Sequence, residues 1–163
     1  MLIYGREIRD RLKNEIQQYA VNNKMSMSIV MVGDDPPSQV YVNGIVKFGR
    51  ETGIKIDVLH LGADTEESQV LRFIKNLNED PAIDGIMLQK PLPEHLDYNR
   101  LINEIAYHKD VEGVHNYNLG KLVSRQEGIQ PSTPKAIIRI IKENGIGIEG
   151  KNVTIVGRST IVG

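Results

Sequence analysis

The sequence has no cysteine, no tryptophan and only two phenylalanines among its 163 residues. Without cysteine the chain forms no disulfide, no thiolate zinc site and no cysteine nucleophile. It also lacks an apolar run of about 18 residues, the length that a membrane helix needs, and a signal-peptide pattern at its start. We therefore expect a cytoplasmic protein with no membrane partner.

An excess of charge of one sign is also missing. Lys plus Arg number 20 and Asp plus Glu number 21, which gives a net charge of −1 at pH 7. This balance creates no basic field that would attract a polyanion, so no nucleic-acid partner is expected. The four histidines are scattered without metal-ligand spacing, so no metal site is expected either.

Hydrophobic periodicity predicts an α/β fold with a mainly parallel sheet and helices on both faces. Helices are predicted over residues 6–22, from Ser38 to Thr52, over 66–78 and 97–106, and from Thr133 to Gly145. Strands are predicted over residues 28–33, 55–62, 83–89 and 151–157. Asp64 and Glu67 resemble a capping box for the third helix, and the irregular stretch 107–132 is a candidate seam between two lobes.

The third predicted strand runs directly into Gln89 and Lys90, with Pro91 behind them. Open α/β sheets bind ligands at the carboxyl ends of their strands. A polar pair fixed by a proline at this edge suits a binding or catalytic site. A stiff turn with two solvated side chains explains the same residues equally well.

Two further stretches each permit a functional and a structural interpretation. Tyr41 and Ile45 share one face of the second helix, where ordinary core contacts are the simpler explanation, and Lys47 projects elsewhere. Asp110 and Glu112 lie two residues apart in a glycine-bounded loop. Their carboxylates could accept from the donor edge of a heterocycle, although a solvated loop is the simpler explanation.

A glycine loop follows the fourth predicted strand, with glycines at its first and seventh positions, 157 and 163. Close backbone approach and free amide groups suit a phosphate, but the spacing is not GxGxxG, so the motif alone is weak. An unrelated nicotinamide dehydrogenase would place GxGxxG early in a complete lobe, and this chain does not contain that pattern.

Five stretches occur in a specific order: VGDDPPSQVYV (32–42), IDGIMLQKPLP (83–93), KDVEGVHNYNLGKL (109–122), PSTPKAI (131–137) and GKNVTIVGRSTIVG (150–163). In this order the sequence resembles the bifunctional methylenetetrahydrofolate dehydrogenase/methenyltetrahydrofolate cyclohydrolase family over essentially its whole length. The resemblance implies an α/β, three-layer folate-binding lobe over residues 1–118. Over 119–163 it implies a connecting segment, a helix, and the first strand and glycine loop of an incomplete Rossmann-type NAD(P) lobe.

The resemblance also implies an activity: NAD(P)-dependent oxidation of 5,10-methylenetetrahydrofolate and hydrolysis of 5,10-methenyltetrahydrofolate to 10-formyltetrahydrofolate. It implies a folate-type substrate, NADP or NAD as cofactor, and a role in one-carbon metabolism and purine biosynthesis. The faces that an incomplete lobe exposes predict a disordered carboxyl-terminal stretch or self-association, for which a homodimer is the expected assembly.

Residue roles follow from the same resemblance. Tyr41 matches a tyrosine that lines the pterin, and Gln89 matches a glutamine that positions the reacting centre. The resemblance also implies substrate contacts at Pro91, Asp110 and Glu112, and Glu112 matches the pterin-binding acid. It implies cofactor contacts at Gly157, Arg158 and Ser159.

Three positions depart from the family pattern. Ile45 stands where the family has a lysine that transfers a proton. General acid–base catalysis, which contributes about 10²–10⁴-fold to a rate, is therefore missing, and the cyclohydrolase activity is the one that this loss affects most. Glu112 replaces an aspartate and reaches one methylene further. Lys90 replaces an apolar residue, and as a hypothesis its amine partly replaces the missing lysine, unless it points to solvent. A non-catalytic folate-binding or assembly module is the competing interpretation.

Overall fold

The computed structural model describes residues 3–162, so Gly163 of the predicted glycine loop lies outside the described residues. Within that range the elements are α1 (Arg6–Asn22), β1 (Met25–Val32), α2 (Pro36–Thr52), β2 (Ile54–Leu61), α3 (Glu67–Glu79), β3 (Gly85–Leu88), α4 (Tyr98–Glu104), α5 (Asn116–Val123) and α6 (Ser132–Glu143). None of the helices in this range is both long enough and apolar enough to cross a bilayer.

The three strands form one parallel sheet in the order β2-β1-β3. Val30 in the central strand pairs with Leu59 of β2 on one side and with Leu88 of β3 on the other. Parallel neighbours need long crossover connections, which α2 and α3 provide. The predicted α/β class with a parallel sheet is confirmed.

Residues of β1 face the two sides of the sheet alternately, and both sides are buried. Val30 and Val32 belong to a core cluster that includes Val70 of α3 and Leu101 of α4. Ile29 and its alternating neighbours belong to a second cluster, on the side of α2, made up of Ile29, Met31, Val42 and Met87. Helices therefore cover both faces, and the predicted three layers are confirmed.

Local capping signals fix the limits of α2. Asp35 is the N-cap and accepts from the Ser38 N–H at 2.9 Å, and two prolines occupy the first turn, where a missing N–H costs nothing. The helix ends at Thr52 because Gly53 takes a left-handed conformation with φ of 84°. The helix therefore ends at the predicted residue but begins two residues before the predicted start at Ser38.

The start of α3 differs from the predicted one. Glu66, not Asp64, is the N-cap, and its N–H donates to the Gln69 side chain at 3.3 Å. The Asp64–Glu67 capping box is therefore wrong by two residues. An acid followed three residues later by a polar partner occurs twice in this stretch, so local spacing does not choose between the two starts.

Two elements near the carboxyl end also depart from prediction. Helix α5 lies within the stretch 107–132, which was predicted to be irregular. Residues 151–157, the predicted fourth strand, are not a strand, so that prediction is wrong. A strand is defined by hydrogen bonds to a neighbour, and no described segment pairs with these residues.

Candidate functional site

The carboxyl ends of β1 and β3 lie side by side. Strand β1 ends at Val32 just before α2, and β3 ends at Leu88 just before Gln89. The Gln89 N–H donates to the Val30 carbonyl oxygen at 2.9 Å, which extends the pairing one residue beyond β3. Gln89 is thereby placed at the edge where open α/β sheets bind ligands.

A buried serine joins the start of α2 to this edge. The Ser38 hydroxyl lies 2.6 Å from Oδ2 of Asp35 and 2.9 Å from the carbonyl oxygen of Lys90. Sequence reasoning treated Ser38 only as the start of a helix. The Asp35-x-x-Ser38 spacing indicates a capping contact, but nothing local indicates a contact with a residue 52 positions away.

Gln89 carries a buried acceptor that lacks a donor. The residue is 7% exposed, and its Nε2 lies 3.4 Å from the Ser38 hydroxyl and also contacts the Lys90 carbonyl oxygen. Its Oε1 has no hydrogen-bond partner among residues 3–162. A buried polar atom without a partner costs about 1–3 kcal/mol, so a ligand N–H or O–H that reached Oε1 would be favoured.

The acidic loop, residues 109–113, runs beside β3. The Ile86 N–H donates to the Lys109 carbonyl oxygen at 2.7 Å, and Ile86 forms a parallel bridge with Asp110. The buried Lys109 ammonium donates to the carbonyl oxygens of Leu77, at 3.0 Å, and Asp80, at 2.7 Å. The loop is therefore fastened both to the sheet and to the end of α3.

Asp110 is fully buried, and both of its carboxylate oxygens are occupied. Oδ1 accepts from the N–H groups of Glu112 at 3.1 Å and Gly113 at 3.0 Å. Oδ2 accepts from the His115 N–H at 2.8 Å and from Nδ2 of Asn118 at 2.9 Å. The carboxylate of Asp110 organises the loop, which leaves Glu112 as the acid with a side chain available to a ligand.

Lys90 and Tyr98 are in contact, and the charges of Lys90 and Glu112 affect their surroundings. Burial raises the pKa of the half-buried Glu112 carboxyl, the charge of Asp110 raises it further, and the charge of Lys90 lowers it. Burial also raises the pKa of Tyr98, with contributions from the charges of Glu112 and Asp110. The Lys90 ammonium lies 3.6 Å from the centroid of the Tyr98 ring.

Tyr41 and Ile45 line a separate apolar groove along α2. The groove has a volume of about 350 Å³ and is formed by Val40, Tyr41, Gly44, Ile45 and Phe48. Tyr41 is 57% exposed, whereas Ile45 is half-buried and packs against the core cluster on this side of the sheet. The groove contains no ionisable group other than the Tyr41 hydroxyl.

The loop that contains Gly157, Arg158 and Ser159 is exposed. The Val162 N–H donates to the Ser159 hydroxyl at 3.0 Å, and Ile161 packs against the core cluster that Tyr98 also contacts. An exposed guanidinium beside a glycine backbone is chemically suited to bind an anion such as a phosphate.

The structure thus joins some of the predicted site residues and leaves others apart. Ser38 connects Gln89 with Lys90, and Lys90 contacts Tyr98 near Glu112. Pro91 follows Lys90 through a cis peptide bond and is exposed. Within the described range, no hydrogen bond links the Tyr41 groove to this group, and no three acidic or histidine side chains gather as metal ligands.

Two family models match the chain. The model for the tetrahydrofolate dehydrogenase/cyclohydrolase catalytic domain matches residues 3–112, and the model for the NAD(P)-binding domain of the same family matches residues 131–163. The stretch between them includes α5, in which the predicted lobe boundary at residue 118 also falls. That boundary stays a prediction.

Individual relatives agree with these matches. Bifunctional protein FolD 2 of Syntrophomonas wolfei is 51% identical over 163 residues, which cover all of this chain and 60% of the relative. The crystal structure of the bifunctional enzyme FolD from Campylobacter jejuni superposes with a TM-score of 0.94 at 34% identity, over 98% of this chain and 58% of that one.

A Trypanosoma brucei methylenetetrahydrofolate dehydrogenase-cyclohydrolase, solved with NADP cofactor and an inhibitor, superposes with a TM-score of 0.93 at 26% identity. The superposition covers all of this chain and 58% of the Trypanosoma brucei chain. The chain therefore spans about three fifths of the length of the relatives that it matches.

Proposed function

Because the chain belongs to the tetrahydrofolate dehydrogenase/cyclohydrolase family, we propose that it binds a one-carbon derivative of tetrahydrofolate at the carboxyl edge of its sheet. The proposed substrates are 5,10-methylenetetrahydrofolate, oxidised with NADP or NAD, and 5,10-methenyltetrahydrofolate, hydrolysed to 10-formyltetrahydrofolate. The observation that carries the proposal is the buried Oε1 of Gln89, an acceptor without a donor.

The available side chains suit a reduced pterin. A pterin presents N–H donors on one edge, and Gln89 and Glu112 offer acceptors for them. We assign Asp110 to holding the loop, because all its hydrogen bonds are internal. The exposed Tyr41 ring offers an aromatic surface for the substrate, and Pro91 restrains the backbone directly after Lys90.

The two proposed reactions depend differently on residue 45. Hydride transfer requires alignment of donor and acceptor and no protonating side chain, so the oxidation does not depend on Ile45. A bound dinucleotide would supply the hydride acceptor, with Gly157, Arg158 and Ser159 contacting a phosphate. Hydrolysis requires a group that takes a proton from water, and Ile45 has none.

Binding is tested by calorimetric titration with 5-formyltetrahydrofolate, a stable reduced folate. The wild-type chain is expected to bind, and Gln89→Leu to bind about tenfold more weakly, the cost of one hydrogen bond in a desolvated site. The matched control is Gln18→Leu, which removes an exposed amide on α1. A wild-type chain that does not bind a reduced folate contradicts the proposal.

Hydrolysis is tested by the rate at which 5,10-methenyltetrahydrofolate opens in buffer, with the wild-type chain and with Ile45→Lys. We expect the wild type to stay near the buffer rate and Ile45→Lys to exceed it by about 10²–10⁴-fold. Lys47→Met, two residues away on the same helix, serves as the control. Wild-type turnover that disappears in Lys90→Met would instead assign the missing amine to Lys90.

Ile45 also favours a second candidate, a folate-binding or assembly module without turnover. The two candidates share binding and differ in catalysis. A wild-type chain that binds 5-formyltetrahydrofolate, opens no methenyl substrate and oxidises no methylene substrate with either dinucleotide fits only the second. Turnover of either substrate above the buffer rate fits only the enzyme.

We extend the proposal to a cytoplasmic homodimer that supplies one-carbon units to purine biosynthesis and has no membrane or nucleic-acid partner. The exposed apolar side chains Ile137 and Ile138 on α6 support self-association. Light scattering on the purified chain is expected to give the mass of two chains. A single-chain mass at micromolar concentration contradicts the dimer.

A further inference from the structure

The side-chain amide of Gln89 has two possible orientations, related by a half-turn that exchanges its oxygen and its nitrogen. One orientation offers a ligand an acceptor and the other offers it a donor, so the orientation decides which ligand atoms fit. The neighbours of the amide within the protein select between the two. These neighbours are the main-chain carbonyl oxygen of Lys90 and the hydroxyl of Ser38.

The carbonyl oxygen of Lys90 accepts hydrogen bonds and has no proton to donate. It contacts Nε2 of Gln89, which donates to it. Turning the amide would place Oε1 against the same carbonyl oxygen, and two acceptors would then face each other without a proton between them. Gln89 is buried, and its main-chain N–H is bound to the Val30 carbonyl oxygen, so the side chain starts from a fixed point of the sheet.

Ser38 selects the same orientation through a separate contact. Its hydroxyl carries one proton, and two acceptors face that proton: Oδ2 of Asp35, at 2.6 Å, and the Lys90 carbonyl oxygen, at 2.9 Å. The atom of Gln89 that lies 3.4 Å from the hydroxyl must therefore supply a proton of its own, and the amide nitrogen does so. Ser38 is 4% exposed, so its partners are these protein groups and not bulk solvent.

We propose that Ser38 is a positioning residue: together with the Lys90 carbonyl oxygen, its hydroxyl holds the Gln89 amide in the orientation that presents Oε1 to the ligand. This inference rests on the proposed function and deepens it, because it states which ligand atoms the site selects. A folate atom that carries a proton, such as a ring N–H, finds an acceptor at Gln89. A carbonyl oxygen or an unprotonated ring nitrogen in the same place meets the amide oxygen and is disfavoured.

Nitrogen-15 NMR of the ligand-free chain provides the first test. The side-chain amide protons of Gln89 are assigned by their loss in Gln89→Leu, and their exchange with solvent is measured. Ser38→Ala is expected to speed this exchange about twofold to tenfold, which corresponds to one neutral hydrogen bond. The side-chain amide of Asn118, which is also buried and hydrogen-bonded, is the internal reference and is expected to keep its exchange rate.

Two outcomes of this measurement would overturn the proposal. An unchanged exchange rate at Gln89 in Ser38→Ala would mean that the hydroxyl does not hold the amide. An equal acceleration at Asn118 would mean that the substitution loosens the whole structure and does not release one side chain. Ser68→Ala removes an exposed hydroxyl on α3 and is the matched control, expected to leave both amides unchanged.

Binding of 5-formyltetrahydrofolate provides the second test. Ser38→Ala is expected to weaken binding about twofold to fivefold, because the amide then loses one of the two contacts that hold its acceptor toward the ligand. The same substitution is expected to have no effect in a Gln89→Leu background, which has no amide to orient. An equal loss in both backgrounds would mean that Ser38 acts on the ligand without Gln89 and overturns the proposal. If the wild type does not bind, the proposed function fails while the NMR measurement still decides the role of Ser38.

Discussion

The hydroxyl of Ser38 lies 2.9 Å from the main-chain carbonyl oxygen of Lys90, so the first turn of α2 is tied to the segment that leaves β3. Tyr41 stands on the first of these elements, and Gln89 and Lys90 belong to the second. This buried hydroxyl therefore links the helix that carries Tyr41 to the segment that carries Gln89 and Lys90.

Replacing Ser38 with alanine tests this link. Ser38→Ala is expected to lower the free energy of unfolding by about 1 kcal/mol, because the Asp35 carboxylate and the Lys90 carbonyl oxygen lose the hydroxyl that donates to them. Urea denaturation measures the loss. Ser68→Ala, at an exposed hydroxyl on α3, is the control and is expected to change stability by less than about 0.5 kcal/mol. Equal effects of the two substitutions would contradict the link.

Asp110 is predicted to be a structural acid. Asp110→Asn places an N–H₂ group where two donors already converge on a carboxylate oxygen, so we expect a loss of about 2–3 kcal/mol in urea denaturation. Asp10→Asn breaks only an exposed pair with Arg9 and is the matched control, expected within about 0.5 kcal/mol of the wild type. A near-neutral Asp110→Asn would mean that the loop does not depend on this carboxylate.

Gly113 lies where the acidic loop meets the start of α6. Its φ is +69°, and a Cβ there would lie 2.5 Å from the carbonyl carbon of Gln130 and 2.8 Å from the nitrogen of Pro131. Gly113→Ala is therefore expected to cost about 2 kcal/mol or more. Gly44→Ala, inside α2 with open space around it, is expected to stabilise by about 0.5–1 kcal/mol. Thermal unfolding measures both stability changes. Changes of opposite sign would show that the local backbone conformation and the available space decide the effect of replacing a glycine.

The pH dependence of stability is predicted to differ in sign between two glutamates. The pKa of Glu112 is raised above its ordinary 4.5, so the folded state holds this proton more tightly than the unfolded state. Its contribution to stability is present below pH 4.5 and is lost as the pH rises through the raised pKa. Glu112→Gln removes this loss, so the variant is expected to gain stability relative to the wild type as the pH rises toward 7.

Glu143 is the control of opposite sign. A hydrogen bond from Arg139 lowers the pKa of Glu143 from its ordinary 4.5, with a further contribution from Arg11. Its contribution is present above pH 4.5 and is lost as the pH falls through the lowered pKa. Glu143→Gln is expected to lose stability relative to the wild type at pH 7 and to approach it in acid. Urea denaturation of both variants between pH 3 and 8 measures the two trends, and trends of the same sign would contradict the assignment.

Local features determined much of this fold from the sequence alone. Helical spacing of apolar residues predicted the bounds of α1, and the end of α2 at Thr52 was also predicted, with its start two residues late. Alternation of strands and helices predicted a parallel sheet covered on both faces, and with it the edge where Gln89 lies. These signals are readable because each depends on residues within a few positions of one another.

Only the tertiary structure decided the contacts between distant residues. Helix α5 was missed because its start depends on His115 as N-cap and on Asn118 bound to Asp110, neither of which is a common helix signal. The predicted strand at 151–157 needs a neighbour that no described segment provides. The contact of the Lys90 ammonium with the Tyr98 ring likewise depends on how the end of β3 lies against α4. The sequence determined which residues are able to act at the site. Packing decided which of them meet, because burial and hydrogen bonding between remote segments leave no local pattern.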